Sequence, residues 1–237
     1  MLTLIQDTPL EFNHPTLTFG LMAGVFLTLS NLLLLESFRY LDVSLGTTIY
    51  RLNTIGVVLL SFLLLHETFG WIKGFGILLG LVGVFLLYKS KSPQSHQKQL
   101  LLFVGLAGIA SLFRAAYGVS TKAGLLEDAN RNAMLLVIAS SWIVGGALYA
   151  IFREKRFRLN WEKARFILIS SILVVGIANF LMLAVQHGEA STVIPVANMS
   201  FVIAILLSTA LKMERLSAKK IAAIICAAGS IFLLAQA

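Results

Sequence analysis

Two arginines inside apolar segments, Arg51 and Arg114, are the residues best suited to bind a charged ligand. A charge buried in an apolar segment is costly, so it should face a cavity or a partner. Arg51 lies roughly eight residues into its predicted helix, or about 12 Å deep. Its planar guanidinium fork could bind a carboxylate or phosphate, and a structural ion pair or an interfacial position is the alternative. Arg114 is predicted near its helix end, where an interfacial position is favoured over substrate contact.

Other polar residues accompany Arg51. Tyr50 and Asn53 flank it, and Asn198 and Ser200 interrupt a later apolar run. A shift of 147 residues places Asn198 opposite Arg51 and Ser200 opposite Asn53. We therefore predict a polar set at similar depth in two related helices. The set contacts a substrate, or its members hydrogen-bond between helices. Tyr50 could add a ring or a hydroxyl to the site.

The remaining reactive residues form no catalytic or metal-binding pattern. The sequence has no HExxH motif and no Walker loop. The single cysteine, Cys226, lies in an apolar segment without the spacing of a metal site. Paired carboxylates of the kind that favour a proton relay are absent from the apolar segments. We predict no enzyme activity, no cofactor and no metal.

The elements that must position these residues are membrane-spanning helices. Hydrophobic residues make up 58% of the chain and charged residues only 13%, about half the charged share of a soluble domain. The apolar residues cluster in runs of about twenty, the length that crosses a bilayer. Because a backbone in lipid must satisfy its own hydrogen bonds, the runs predict an all-α membrane protein of about eight transmembrane helices. They cover 17–36, 43–65, 70–88, 99–118, 133–152, 165–186, 190–211 and 217–236.

An internal repeat underlies this pattern. With the 147-residue shift, 43–88 lies over 190–235 without a gap. Most matches are leucines, which are common in apolar sequence, but Glu67 meets Glu214 at the same helix boundary. Internal repeats are typical of transporters that bind substrate near the midplane between two halves. Pro195 in the second copy either kinks its helix and frees a carbonyl or occupies the first turn of the helix, and the first turn is favoured.

The two copies resemble the C-terminal part of the EamA domain. The first copy, 39–88, reads RYLDVSLGTTIYRLNTIGVVLLSFLLLHETFGWIKGFGILLGLVGVFLLY. The second, 184–234, reads AVQHGEASTVIPVANMSFVIAILLSTALKMERLSAKKIAAIICAAGSIFLL. In that domain a corner of the type ALRYxxAS leads into a helix ending in GE(R/K) and then a Gly/Leu-rich helix. The resemblance implies the drug/metabolite transporter superfamily, whose larger members have ten helices in two inverted five-helix repeats.

The chain departs from that pattern in its first repeat. The resemblance implies three helices in 1–92, matching the last three of five, and five helices in 99–237. We expect either a shortened member of the family or a chain that begins inside a longer reading frame. Arg114 stands where the family usually has Trp in a W-A-x-Y pattern. Asn53 and Ser200 stand where it commonly has Glu followed by Pro, so those groups do not carry over.

The resemblance implies a secondary transporter that works by alternating access. The substrate would be a small metabolite or an amino-acid-like compound, and Arg51 suggests that it carries an anionic group. The alternatives are a non-transporting membrane scaffold and a truncated fragment of a ten-helix transporter. We expect a multi-pass protein of a bacterial-type inner membrane.

The expected partners are the lipid bilayer and a small-molecule substrate. The net charge of +8 does not predict nucleic-acid binding, because the basic residues form short blocks between apolar runs, beside lipid headgroups. Small-residue faces at Gly76-x3-Gly80 and Ala223-x3-Ala227 favour close helix packing and leave a homodimer possible.

Two arguments about orientation disagree. One predicted side carries 14 Lys and Arg residues and the other carries 4, which places the first side in the cytoplasm and both termini outside. The family resemblance implies cytoplasmic termini. Losing two helices does not change this parity, so both orientations stay open.

Overall fold

A computed structural model gives the fold, and it describes residues 10–39, 41, 43–86, 97–154, 160–210 and 217–236. The described residues are helical or irregular, and none of them forms a strand. Each of the eight predicted apolar segments contains helix, so the all-α prediction is confirmed. The helices are α1 (His14–Ser37), α2 (Val43–Arg51), α3 (Asn53–Leu64), α4 (Trp71–Leu86), α5 (Gln97–Leu126), α6 (Arg131–Tyr149) with a π-helical extension (Ala150–Glu154), α7 (Trp161–His187), α8 (Ala190–Asn198), α9 (Phe201–Ala210) and α10 (Ala218–Leu234).

Five helical stretches among the described residues are long and apolar enough to cross a membrane. They are His14–Ser37, Gly46–Leu64, Leu102–Leu126, Arg131–Arg153 and Lys163–His187. The last has a mean hydropathy of 2.5, yet only 6% of its apolar window is buried within the protein. Most of its apolar side chains therefore lie outside the protein core, as in a helix exposed to lipid, and the chain is an integral, multi-pass membrane protein. The predicted boundary between the repeats, 93–98, lies largely outside the described residues.

Helix α5 is longer than the predicted segment 99–118. It continues to Leu126. Lys122 explains the difference, because its ammonium is buried and donates to the carbonyls of Val185 and Gly188, each at 2.9 Å. The carbonyls at the end of α7 satisfy this charge, so it does not end α5.

Two of the predicted segments are broken at equivalent positions. The α2/α3 segment is interrupted at Leu52 and the α8/α9 segment at Met199, 147 residues later. Leu52 N–H donates to the carbonyl three residues back, and Met199 N–H does the same, each at 3.0 Å. The repeat seen in the sequence therefore corresponds to a repeated irregularity of the backbone.

Small residues bring α4 and α10 together. Ser230 donates from its hydroxyl to the Gly76 carbonyl at 2.6 Å, and Ala223 and Ala227 are fully buried. A Cβ added to Gly80 would lie 2.8 Å from Ser230 Oγ and still closer to the terminal methyl group of Met199. The two predicted small-residue faces thus pack against each other within the chain.

Acidic residues link the α3–α4 connection to the start of α8. The Glu67 carboxylate accepts hydrogen bonds from the N–H groups of Ala190 at 2.7 Å and Ser191 at 2.9 Å. This contact caps the helix and satisfies donors that have no partner within it. Lys73, which is 1% exposed, pairs with Glu189 and donates to Ser191 Oγ at 3.1 Å. Glu67 therefore lies at a helix boundary and caps the start of α8. Its counterpart Glu214 lies outside the described residues.

Replacing Glu67 by alanine should lower thermal stability. The change removes two hydrogen bonds to a charged group and leaves two N–H groups of α8 without an acceptor, a cost of about 1–3 kcal/mol. We expect the midpoint of unfolding in detergent, followed by circular dichroism, to fall by roughly 2–4 °C for each kcal/mol. Glu127→Ala at an exposed position is the matched control. An unchanged midpoint for Glu67→Ala would contradict the capping role.

Two glycine-to-alanine changes should have different effects on the free energy of unfolding. Gly80→Ala forces a methyl group into the α4–α10 contact and should destabilise the protein by about 1–3 kcal/mol. Gly105→Ala adds a methyl group to α5 where no atom lies within 4 Å. It should leave stability unchanged or raise it by up to about 1 kcal/mol. Equal midpoints for the two variants would show that α4 and α10 are not closely packed at Gly80.

Candidate functional site

Arg51 joins the two helix breaks. Its Nη1 donates to the Asn198 carbonyl, which is free because the N–H of Val202 bonds to the carbonyl of Met199 instead, at 3.0 Å. The Arg51 guanidinium also lies over the ring of Phe201, 5.2 Å from its centroid. The last residue of α2 therefore provides a hydrogen-bond donor for the last carbonyl of α8.

The side chain of Asn198 makes the return contact. Its Nδ2 donates to Asn53 Oδ1 at 2.9 Å and to Thr54 Oγ1 at 2.8 Å. Asn53 in turn donates to the Tyr50 carbonyl at 2.9 Å. Asn53 and Thr54 are 2% exposed, so the network is shielded from solvent. Three members of the predicted pseudo-symmetric polar set, Arg51, Asn53 and Asn198, thus hydrogen-bond across the two broken helices.

The Tyr50 hydroxyl is also engaged. It lies 3.0 Å from the Ser30 hydroxyl and donates to Asn31 Oδ1 at 3.3 Å. Ser30 donates to the Ala110 carbonyl at 2.8 Å. Tyr50 therefore ties the first helix break to α1 and α5.

Arg114 lies at the centre of its helix, and the prediction that it lies near a helix end is wrong. The span Leu102–Leu126 extends 12 residues on each side of it. This distance corresponds to about 18 Å, too far for the side chain to reach either interface. The guanidinium lies over the Tyr117 ring, 4.9 Å from its centroid. Among the described residues, no carboxylate pairs with it.

Two neighbouring pockets have Arg114 in their lining, and we call them the larger and the smaller lobe of the cavity beside Arg114. The larger lobe, of about 620 Å³, lies between α5, α7 and α8, and the smaller, of about 450 Å³, lies towards α1 and α6. Arg114, Tyr117, Ile177 and Leu181 line both lobes. The polar side chains of the larger lobe are those of Arg114, Tyr117, Thr121, Thr192, Asn198 and Ser200.

A further cleft, of about 650 Å³, lies between α1 and α6. The described residues that line it include no charged one, and its Leu17, Leu21 and Val25 are exposed. An open apolar cleft on the outer surface of a membrane protein is suited to lipid chains. Each lobe beside Arg114 is smaller than this cleft, but the lobes contain the charge and the hydrogen-bonding groups that a polar solute needs.

The structure divides the six predicted site residues into two groups. Arg114, Asn198 and Ser200 line the larger lobe. Tyr50, Arg51 and Asn53 lie behind Asn198 and line neither lobe.

Sequence reasoning did not include some residues of the cavity. Tyr117 follows Arg114 by three positions, the spacing that puts two side chains on one helix face, and this spacing could have identified it. Trp142 lines the smaller lobe, and no pattern in the sequence distinguishes it from the tryptophans at 71 and 161.

Comparisons with known proteins agree with this architecture. A profile described as the EamA-like transporter family matches residues 1–89 and 101–236. Among curated proteins, no sequence match was found. One solved structure, described only as "Crystal structure of protein", is similar with a TM-score of 0.80 over 99% of this chain and 82% of that chain. Its sequence identity is 14%, so the likeness concerns the fold alone. Since the profile spans nearly the entire sequence, the chain belongs to the EamA-like transporter family.

Proposed function

We propose that this protein moves a small organic solute, such as a metabolite or an amino-acid-like compound, across a bacterial-type plasma membrane. Two repeats, 1–92 with three helices and 99–237 with five in inverted orientation, would alternate in opening the cavity to either side. Membership of a transporter family supports this proposal. The observation that carries it is the pair of equivalent helix breaks, which bond to each other beside the cavity.

Broken helices suit alternating access for a physical reason. A continuous helix resists bending, because each peptide group is held by the one four residues away. At Leu52 and Met199 the hydrogen bonds change to the three-residue spacing, so each segment can pivot there. Irregular backbone in a membrane is tolerated where it is buried in protein or lines a cavity, and transporters often bind substrate at such points.

The solute-binding surface in this proposal is the larger lobe. Arg114, Asn198 and Ser200 would contact the solute, because all three line this lobe. Arg51 would hold the Asn198 backbone in place through the bond to its carbonyl. Direct contact of Tyr50, Arg51 and Asn53 with the solute stays a prediction.

Purified protein in liposomes should transport at least one member of a panel of labelled metabolites and amino acids. Uptake and counterflow with equal compositions on both sides would show carrier activity without an ATP source. Protein-free liposomes are the control. A folded, inserted protein that moves no member of a broad panel would contradict the proposal and favour a non-transporting scaffold.

Replacing Arg51 by glutamine should lower the maximal rate of transport more than it changes KM. The shorter side chain cannot make both the carbonyl contact and the ring contact of Arg51, so the two broken helices lose their connection. We expect a fall of roughly tenfold or more, the effect of losing one hydrogen bond to a charged group. Arg165→Gln, at an exposed position of α7, removes the same charge and should transport normally.

The ratio of the two kinetic parameters separates the two roles of Arg51. If Arg51 contacts the solute directly, KM should rise strongly while the maximal rate changes little. That result would overturn the positioning role and support the direct contact predicted from the sequence.

A further inference from the structure

Arg114 differs from the other deeply placed cations in what surrounds it. Lys73 has Glu189 as a partner, Lys122 donates to two carbonyls, and Arg51 donates to the Asn198 carbonyl. The Arg114 guanidinium rests on the Tyr117 ring, and no hydrogen bond or ion pair to a described residue accompanies that contact. Its five N–H donors are therefore available to whatever occupies the cavity.

The position of Arg114 makes this state costly. A cation near the middle of a membrane-spanning helix is costly. The contact with the Tyr117 ring offsets only part of this cost. An anion in the cavity would supply both the missing countercharge and acceptors for the guanidinium.

We propose that Arg114 anchors the acid group of the transported solute, and that this solute is an amphipathic organic anion. It carries one carboxylate, or an acid of similar geometry, on an apolar body. This inference rests on the proposed transport function and specifies its substrate class. The planar guanidinium fork matches a carboxylate in a bidentate arrangement.

The shape of the cavity indicates the rest of the solute. Arg114 lines both lobes, so an acid bound there can direct its body into either one. Apart from the polar groups of the larger lobe and Asn31 in the smaller one, the lining is aliphatic and aromatic, so burying apolar surface against it is favourable. A small inorganic anion would leave these walls without contacts.

A lipid headgroup does not fit the same geometry. Headgroup phosphates lie at the ends of the span, and Arg114 is about 18 Å from either end. The anion is therefore a solute that enters the cavity, not a constituent of the bilayer surface.

The test uses the full chain in phosphatidylcholine nanodiscs and measures binding by isothermal titration calorimetry. The probes are ω-phenylalkanoates from phenylacetate to 6-phenylhexanoate, each paired with its neutral amide of nearly the same shape. The variants are Arg114→Gln, which removes the charge, and Arg114→Lys, which keeps it. Arg165→Gln is the matched control for loss of one positive charge outside the cavity.

We expect the acids to bind the wild type and the Arg165→Gln control roughly tenfold or more tightly than the amides. In Arg114→Gln the acids should weaken by about 10- to 150-fold, the loss of a charged hydrogen bond, while the amides change little. Arg114→Lys should keep part of the preference for acids. Equal binding of acids and amides, absence of binding by every acid, or wild-type acid binding in Arg114→Gln would each overturn the inference.

Transport assays on the same preparations separate this inference from the proposed function. Acid-selective binding that depends on Arg114, without uptake of any bound acid into liposomes, would remove the transport function and leave the anion site intact. Uptake of neutral solutes with no preference for acids would preserve the transport function and overturn the anion site.

Discussion

A helix that breaks inside a bilayer leaves peptide groups that no water can satisfy, and this protein has two such breaks. The Asn198 carbonyl, which is freed at the second break, accepts a hydrogen bond from Arg51 at the first break. Asn198 then uses its side chain to bind Asn53 and Thr54 at the first break. Each break is therefore stabilised by the other, and the remaining helices pack around that connection. The last helices of the two copies, α4 and α10, also pack against each other and so add a second contact between the copies.

These breaks are maintained by contacts between helices more than by residues that disrupt a helix locally. Pro195 lies three residues before the end of α8, and the prediction that it occupies the first turn is wrong, because α8 begins at Ala190. The equivalent residue in the first copy is Thr48, yet α2 ends at the equivalent position. A proline is thus not needed for the interruption. Local sequence permits the break, and the bonds between the two copies determine where it falls.

The sequence was informative wherever the surrounding lipid restricts which residues and which backbone structure are allowed. Apolar runs predicted the helices, because lipid admits little else, and the 147-residue shift predicted that Arg51, Asn53, Asn198 and Ser200 form equivalent pairs. It failed at Arg114, because the predicted helix ended at 118, before the charged Lys122. Whether a lysine ends a membrane helix depends on which carbonyls lie nearby, and those of Val185 and Gly188 are more than sixty residues away in sequence. Distant acceptors of this kind cannot be read from one helix alone.

The same reasoning explains why residue type was a poor guide to the role of each deep cation. Arg51 and Arg114 are chemically identical, and the sequence favoured Arg51 as the ligand-binding residue because it clearly interrupts an apolar segment. Arg51 is adjacent to a broken helix, so a free carbonyl lies within its reach. Arg114 lies within an unbroken helix, and its neighbour is an aromatic ring instead of a carbonyl left free at a helix end. The irregular backbone of a break or a helix end supplies acceptors to Arg51 and Lys122, whereas Arg114 has no such acceptor among the described residues and stays available to select a solute.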